Sequence, residues 1–156
     1  MLRLWSDALA TPIWDGPSVW LHGDLHPGNL LVHAGRLSGV VDFGDITAGD
    51  PATDLSVAWM LLPRSADDAF RGAYAARSGR SLDDATWRRA RGWALALSVA
   101  FVGHSVDNPM IAGIGRRTLH AVLADTAQAD TAQPETARAD ASQPHTTPSP
   151  VDRLPQ

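Results

Sequence analysis

The feature that most constrains the fold is a stretch of 24 residues, His22 to Asp45, reading HGDLHPGNLLVHAGRLSGVVDFGD. Its first third, with Gly23, Pro27 and Gly28, restricts the backbone to a tight loop that follows a strand. Two apolar runs come next, Leu30 to His33 and Leu37 to Phe43, separated by Ala34, Gly35 and Arg36. Short β-rich runs around such a break predict a β-hairpin. With Gly35 and Arg36 as the loop residues, Leu30 faces Val41, Leu31 faces Val40, and Asn29 faces Asp42. Residues paired in this way have Cα atoms about 4.5–5.5 Å apart and side chains on one face. The predicted hairpin therefore joins a carboxamide to a carboxylate beside the loop that carries Asp24.

The flanking segments are mostly helical. Arg3 to Ala10 predicts a short helix, Thr11 to Pro17 a loop, and Ser18 to Leu21 a strand. Thr53 to Leu62 is apolar nearly all round, which predicts a buried helix that stops at Pro63. Further helices are expected at Ala66 to Arg77 after Ser65, at Leu82 to Val102 after Ser81, and at Pro109 to Ala124. Strands and helices do not alternate, so a doubly wound parallel sheet is not expected and the expected class is α+β, a small hairpin on a mainly helical body. Residues 1–124 form one expected domain. Residues 125–156, DTAQADTAQPETARADASQPHTTPSPVDRLPQ, hold almost no large apolar side chain and predict a disordered low-complexity tail.

Composition narrows the partners. A net charge of -4 and a pI near 5.8 give no attraction for nucleic acid or an anionic membrane. Cysteine is absent, so disulfides and thiolate metal sites are impossible. Neither a signal peptide nor a run of about 20 apolar residues is present, and the expected location is the cytoplasm. All 13 basic residues are arginine.

Phosphoryl transfer to a hydroxyl needs a group that accepts or orients the hydroxyl proton, and magnesium held by oxygen ligands against the phosphates. Asp24 is the candidate base; Asn29 and Asp42 are the candidate magnesium ligands, since oxygen-only donors favour magnesium over zinc. His22 and His26 have the i, i+4 spacing of zinc ligands on a helix, but the glycines and proline around them argue for a loop. The ordinary reading makes His22 a hydrogen-bonding strut and His26 a loop residue. Asp67, Asp68, Asp83 and Asp84 are an acidic wall for a cationic substrate in one reading and first-turn helix caps in the stronger one. Trp59, Trp87 and Trp93 are expected in the core.

HGDLHPGNLLV, VVDFGD and GDPATDLS in this order resemble the aminoglycoside phosphotransferase family, small-molecule relatives of the protein kinases, over residues 1 to about 124. Four residues separate Asp24 from Asn29, as they separate Asp and Asn in the kinase HRD motif. The resemblance implies the C-terminal lobe of a kinase-like fold, with Asp24 as catalytic aspartate, Asn29 and Asp42 as magnesium ligands, and Phe43 and Gly44 in a DFG-like turn. His22 and Asp54 are implied as structural support, Asp54 also as a helix cap. Implied as well are ATP as phosphoryl donor and a small-molecule hydroxyl acceptor, whether aminoglycoside, macrolide, sugar or amino alcohol. The family's N-terminal nucleotide lobe, with its strand lysine, has no counterpart here. The expectation is a gene fragment, a truncated sequence, or one half of a split enzyme with a separately encoded lobe as partner, and the chain alone is expected to be inactive. The alternative is a non-catalytic remnant or binding subunit that keeps the fold.

Overall fold

A computed structural model describes residues 1–105 and 107–132. Helix α1 spans Leu2–Ala10, and strand β1, Val19–Leu21, pairs antiparallel with β4, Thr47–Gly49. Between them, β2 (Leu30–His33) and β3 (Arg36–Val40) form the hairpin as a separate two-stranded sheet. The body is helical: α2 (Ala52–Leu55), α3 (Val57–Leu61), α4 (Asp67–Ser78), α5 (Asp84–His104) and α6 (Pro109–Ala132). Helix α5 is the spine, packing against α6, α2 and α1, while α3 leans on α6. Leu4, Ala52, Leu55, Ala58, Trp59, Trp87, Ala90, Ala94, Leu95 and Val122 form the core. Of the three tryptophans expected there, Trp93 instead faces outward.

The hairpin register departs from expectation. The turn residues are Ala34 and Gly35, both at positive φ, 49° and 73°, as the twist-compatible two-residue turn requires, and Arg36 already pairs with His33. Val32 pairs with Leu37 but Leu31 with Gly39, so Ser38 bulges out, its hydroxyl donating to the Leu31 carbonyl at 3.1 Å. Leu30 thus faces Val40, not Val41, and Asn29 meets Val41, not Asp42. The turn moved the register and the bulge restored only part of it.

The expected helix at Thr53 to Leu62 is broken at Ser56, whose buried hydroxyl donates to the Thr53 carbonyl at 2.7 Å and tightens the turn. Leu62 is extended ahead of Pro63, as steric clash with the proline ring demands. Asp83, and not Ser81, caps α5, accepting from the Thr86 amide at 2.8 Å and the Thr86 hydroxyl at 2.7 Å. These bonds hold its carboxyl below the usual range. Asp67 makes no cap and pairs with Arg71 at 3.1 Å.

Helix α6 passes the expected domain boundary at Asp125 and runs to Ala132. Asp125 is 6% exposed and accepts from the Trp59 indole at 3.3 Å. It also pairs with Arg64 and, at 3.5 Å, with Arg91. This carboxylate therefore belongs to the folded body. The remainder of the expected tail, residues 133–156, lies outside the described residues.

Candidate active site

The loop after β1 is held from three directions. From α2, the Asp54 carboxylate accepts the backbone N–H of His22 at 2.6 Å and of Gly23 at 3.1 Å. Asp54 is thus a strut for the loop rather than the cap of its own helix. That cap is Asp50, which accepts the Ala52 N–H at 3.0 Å and is gripped by Arg89 of α5 at 2.7 Å. Gly23 has φ +87°, and a Cβ there would collide with the Asp45 carbonyl oxygen, so only glycine lets the loop press against the DFGD turn.

From the hairpin side, His22 reaches Val41. Its Nδ1 accepts the Asp24 N–H at 3.3 Å, and its Nε2 lies 2.9 Å from the Val41 carbonyl oxygen, which can only accept. The bonds fix the tautomer with the proton on Nε2. The ring stands against Phe43, centroids 4.8 Å apart. Both nitrogens are engaged, so His22 has no lone pair left for zinc.

The third tie is Asn29, buried at the end of the 3-10 turn Pro27–Asn29. Its Nδ2 donates to the Asp24 carbonyl at 2.9 Å and approaches Asp24 Oδ2 at 3.4 Å. Its own carbonyl accepts the Val41 N–H at 3.0 Å. Val41 is therefore bound through its N–H to Asn29 and through its carbonyl to His22. The next residue, Asp42, enters the DFGD turn in a left-handed conformation, φ 64° and ψ 62°. Strand β3 ends at Val40, so the direction of Asp42 is set by this αL backbone and not by the strand pleat. Gly44 follows it closely: a Cβ there would lie 3.6 Å from Asp42 Oδ1.

The backbone ties bring the segments carrying Asp24, Asn29 and Asp42 together, by a route different from the expected cross-strand pair. Asp24 is 40% exposed at its side chain, so its carboxylate opens toward solvent. Among the described residues, no three His, Cys, Asp or Glu side chains form a metal cage. A magnesium ion usually takes one or two protein oxygens and completes its shell with water and phosphate, which needs no such cage.

Two features escaped sequence reasoning. Asp50 was visible in GDPATDLS, but its partner Arg89 is 39 residues away. His26 is buried beside Asp24, and its ring lies edge-on to Phe101 of α5 at 5.4 Å. No helix among the described residues is long and apolar enough to cross a membrane.

The model of the phosphotransferase enzyme family matches residues 1–93. Over 42 residues, 26% of this chain and 14% of its relative, the sequence is 43% identical to the uncharacterized protein YcbJ of Bacillus subtilis strain 168. Among solved structures, the apoenzyme of macrolide 2'-phosphotransferase MphH from Brachybacterium faecium matches with a TM-score of 0.52 and 26% sequence identity. That match covers 77% of this chain and 40% of MphH, so the chain spans well under half the length of either relative.

Proposed function

The chain belongs to the phosphotransferase enzyme family, whose model covers more than half of it, and on that premise we propose that it is the catalytic lobe of an ATP- and magnesium-dependent small-molecule phosphotransferase. Asp24 orients or deprotonates the acceptor hydroxyl. Asn29 and Asp42 hold magnesium: with Nδ2 committed to Asp24, Asn29 has its amide oxygen to offer, and Asp42 adds a carboxylate. Both are hard oxygen donors that suit this ion. When bound, magnesium and ATP supply the phosphoryl group and neutralise the charge around it. His22, Gly44 and Asp54 keep the loop and the DFGD turn in register.

The observation that carries the reading is the double tie of Val41, which fastens the residue before Asp42 to both His22 and Asn29 around Asp24. A nucleotide-binding lobe is the proposed partner of this site, because residues 1–156 include no lysine to contact phosphates. Phosphoryl transfer depends on positioning and charge stabilisation, each contributing several kcal/mol, and half a site forfeits much of both.

The test is a Mg2+ and ATP titration of the chain, alone and with a supplied nucleotide-binding lobe of the family, with hydroxyl acceptors screened from macrolides outward. The lone chain is expected to show no turnover and the combination measurable turnover. Asp24→Ala removes a proton acceptor worth about 10²–10⁴ in rate, and Asp42→Ala weakens the magnesium dependence. Unchanged rates in both variants would refute the roles.

A non-catalytic binding subunit is the second reading, and one observation favours it. Trp20 is 80% exposed and Phe43 53% exposed, as a surface awaiting a partner would be. No turnover with any acceptor in the combined system would select this reading.

A further inference from the structure

We propose that His26 is a positioning residue for Asp24, holding the Oδ2 edge of the carboxylate so that Oδ1 is the oxygen presented to the acceptor hydroxyl; this rests on the reading of Asp24 as proton acceptor. The ring of His26 is oriented by its surroundings on three sides. Its Nδ1 accepts the Gly28 N–H at 3.0 Å, which caps the 3-10 turn. Its edge meets Phe101 of α5. A Cβ on Gly28 would sit 2.7 Å from His26 Cε1 and 3.4 Å from the Met110 methyl of α6, so the glycine makes room for the imidazole.

Because Nδ1 must have a free lone pair to accept from Gly28, the neutral ring carries its proton on Nε2. Nε2 lies 3.5 Å from Asp24 Oδ2. That is longer than a formed hydrogen bond, but such contacts at unliganded sites often tighten when substrate arrives. Asn29 Nδ2 approaches the same oxygen at 3.4 Å. Two donors thus converge on Oδ2, whereas Oδ1 has no protein partner among the described residues. Capping the turn uses only the Nδ1 side of the ring. It leaves unexplained why the opposite nitrogen lies 3.5 Å from the one carboxylate in the loop. The contact also gives α5 a path to Asp24, through Phe101.

The two nitrogens can be tested separately, since asparagine imitates Nδ1 and glutamine imitates Nε2. The full chain, labelled with 15N and 13C, is studied by NMR at one fixed pH. Long-range 1H–15N correlation is expected to show His26 protonated on Nε2. Three-bond couplings to Asp24 Cγ are expected to report a single χ1 rotamer in the unmodified chain and in His26→Gln. In His26→Asn, which keeps the Gly28 bond, they are expected to collapse to rotamer-averaged values. Wild-type couplings in His26→Asn, or averaging in His26→Gln alone, would assign His26 to the cap and overturn the proposal. Failure of the underlying reading looks different: Asp24 loses its order in His26→Asn, yet Asp24→Ala leaves turnover with the supplied lobe intact.

Discussion

Replacing Asp54 separates the loop from the helix beneath it without touching Asp24. The carboxylate accepts from two part-buried N–H groups, those of His22 and Gly23, 32 and 31 residues away in sequence. A hydrogen bond to a charged group contributes about 1.5–3 kcal/mol, and a part-buried donor left open regains some of this from water. Asp54→Ala should therefore cost about 3 kcal/mol, the lower end for two such bonds. Asp54→Asn retains one acceptor oxygen but sets an NH2 against the other N–H, and should cost about 2 kcal/mol. For a chain of this length, a loss of about 3 kcal/mol lowers Tm by roughly 6–12 °C. Urea unfolding followed by tryptophan fluorescence reads the free energies, provided the slope is unchanged between variants. Amide exchange at His22 and Gly23 reads the local effect and should accelerate in both. Stability within about 0.5 kcal/mol of wild type, with unchanged exchange at the two amides, would refute the strut.

Other consequences follow from the same packing. Asp125→Ala leaves Arg64, Arg91 and the Trp59 indole without their shared acceptor, a loss of about 3 kcal/mol readable by the same unfolding assay. A chain ended after Ala124 should unfold at lower urea than one ended after Ala132; equal midpoints would return the domain boundary to 124. Asp83→Ala should remove about 1 kcal/mol of cap from α5. Since Thr86 lowers the carboxyl pKa below 3.8, the ionised cap is fully present above that value and is lost as pH falls through the lower folded one. The difference between Asp83→Ala and wild type should accordingly shrink in acid, and a gap constant down to pH 2 would contradict it. Gly28→Ala should push the His26 ring aside, at about 1–3 kcal/mol by unfolding.

The chain's local signals were legible wherever the cause lies within a few residues. Pro63 stops α3 and Gly35 belongs to the hairpin turn because proline and glycine act on the backbone over short range. The family-like order of HGD, Asn29 and DFGD was legible for the same reason. What the sequence could not decide were features caused by distant partners. Hairpin register hung on whether Ala34 or Arg36 joins the turn, and on the Ser38 bulge, which the residue types alone left open. Asp125 reads as the start of a polar tail until Trp59, Arg64 and Arg91 fold around it. Asp54 reads as structural support, but what it supports is hidden because its targets lie a full hairpin upstream, and His26 reads as a loop residue because Phe101 is 75 positions away. A carboxylate or an imidazole announces what it can bond to, but only the folded chain chooses which donors come within about 3 Å of it.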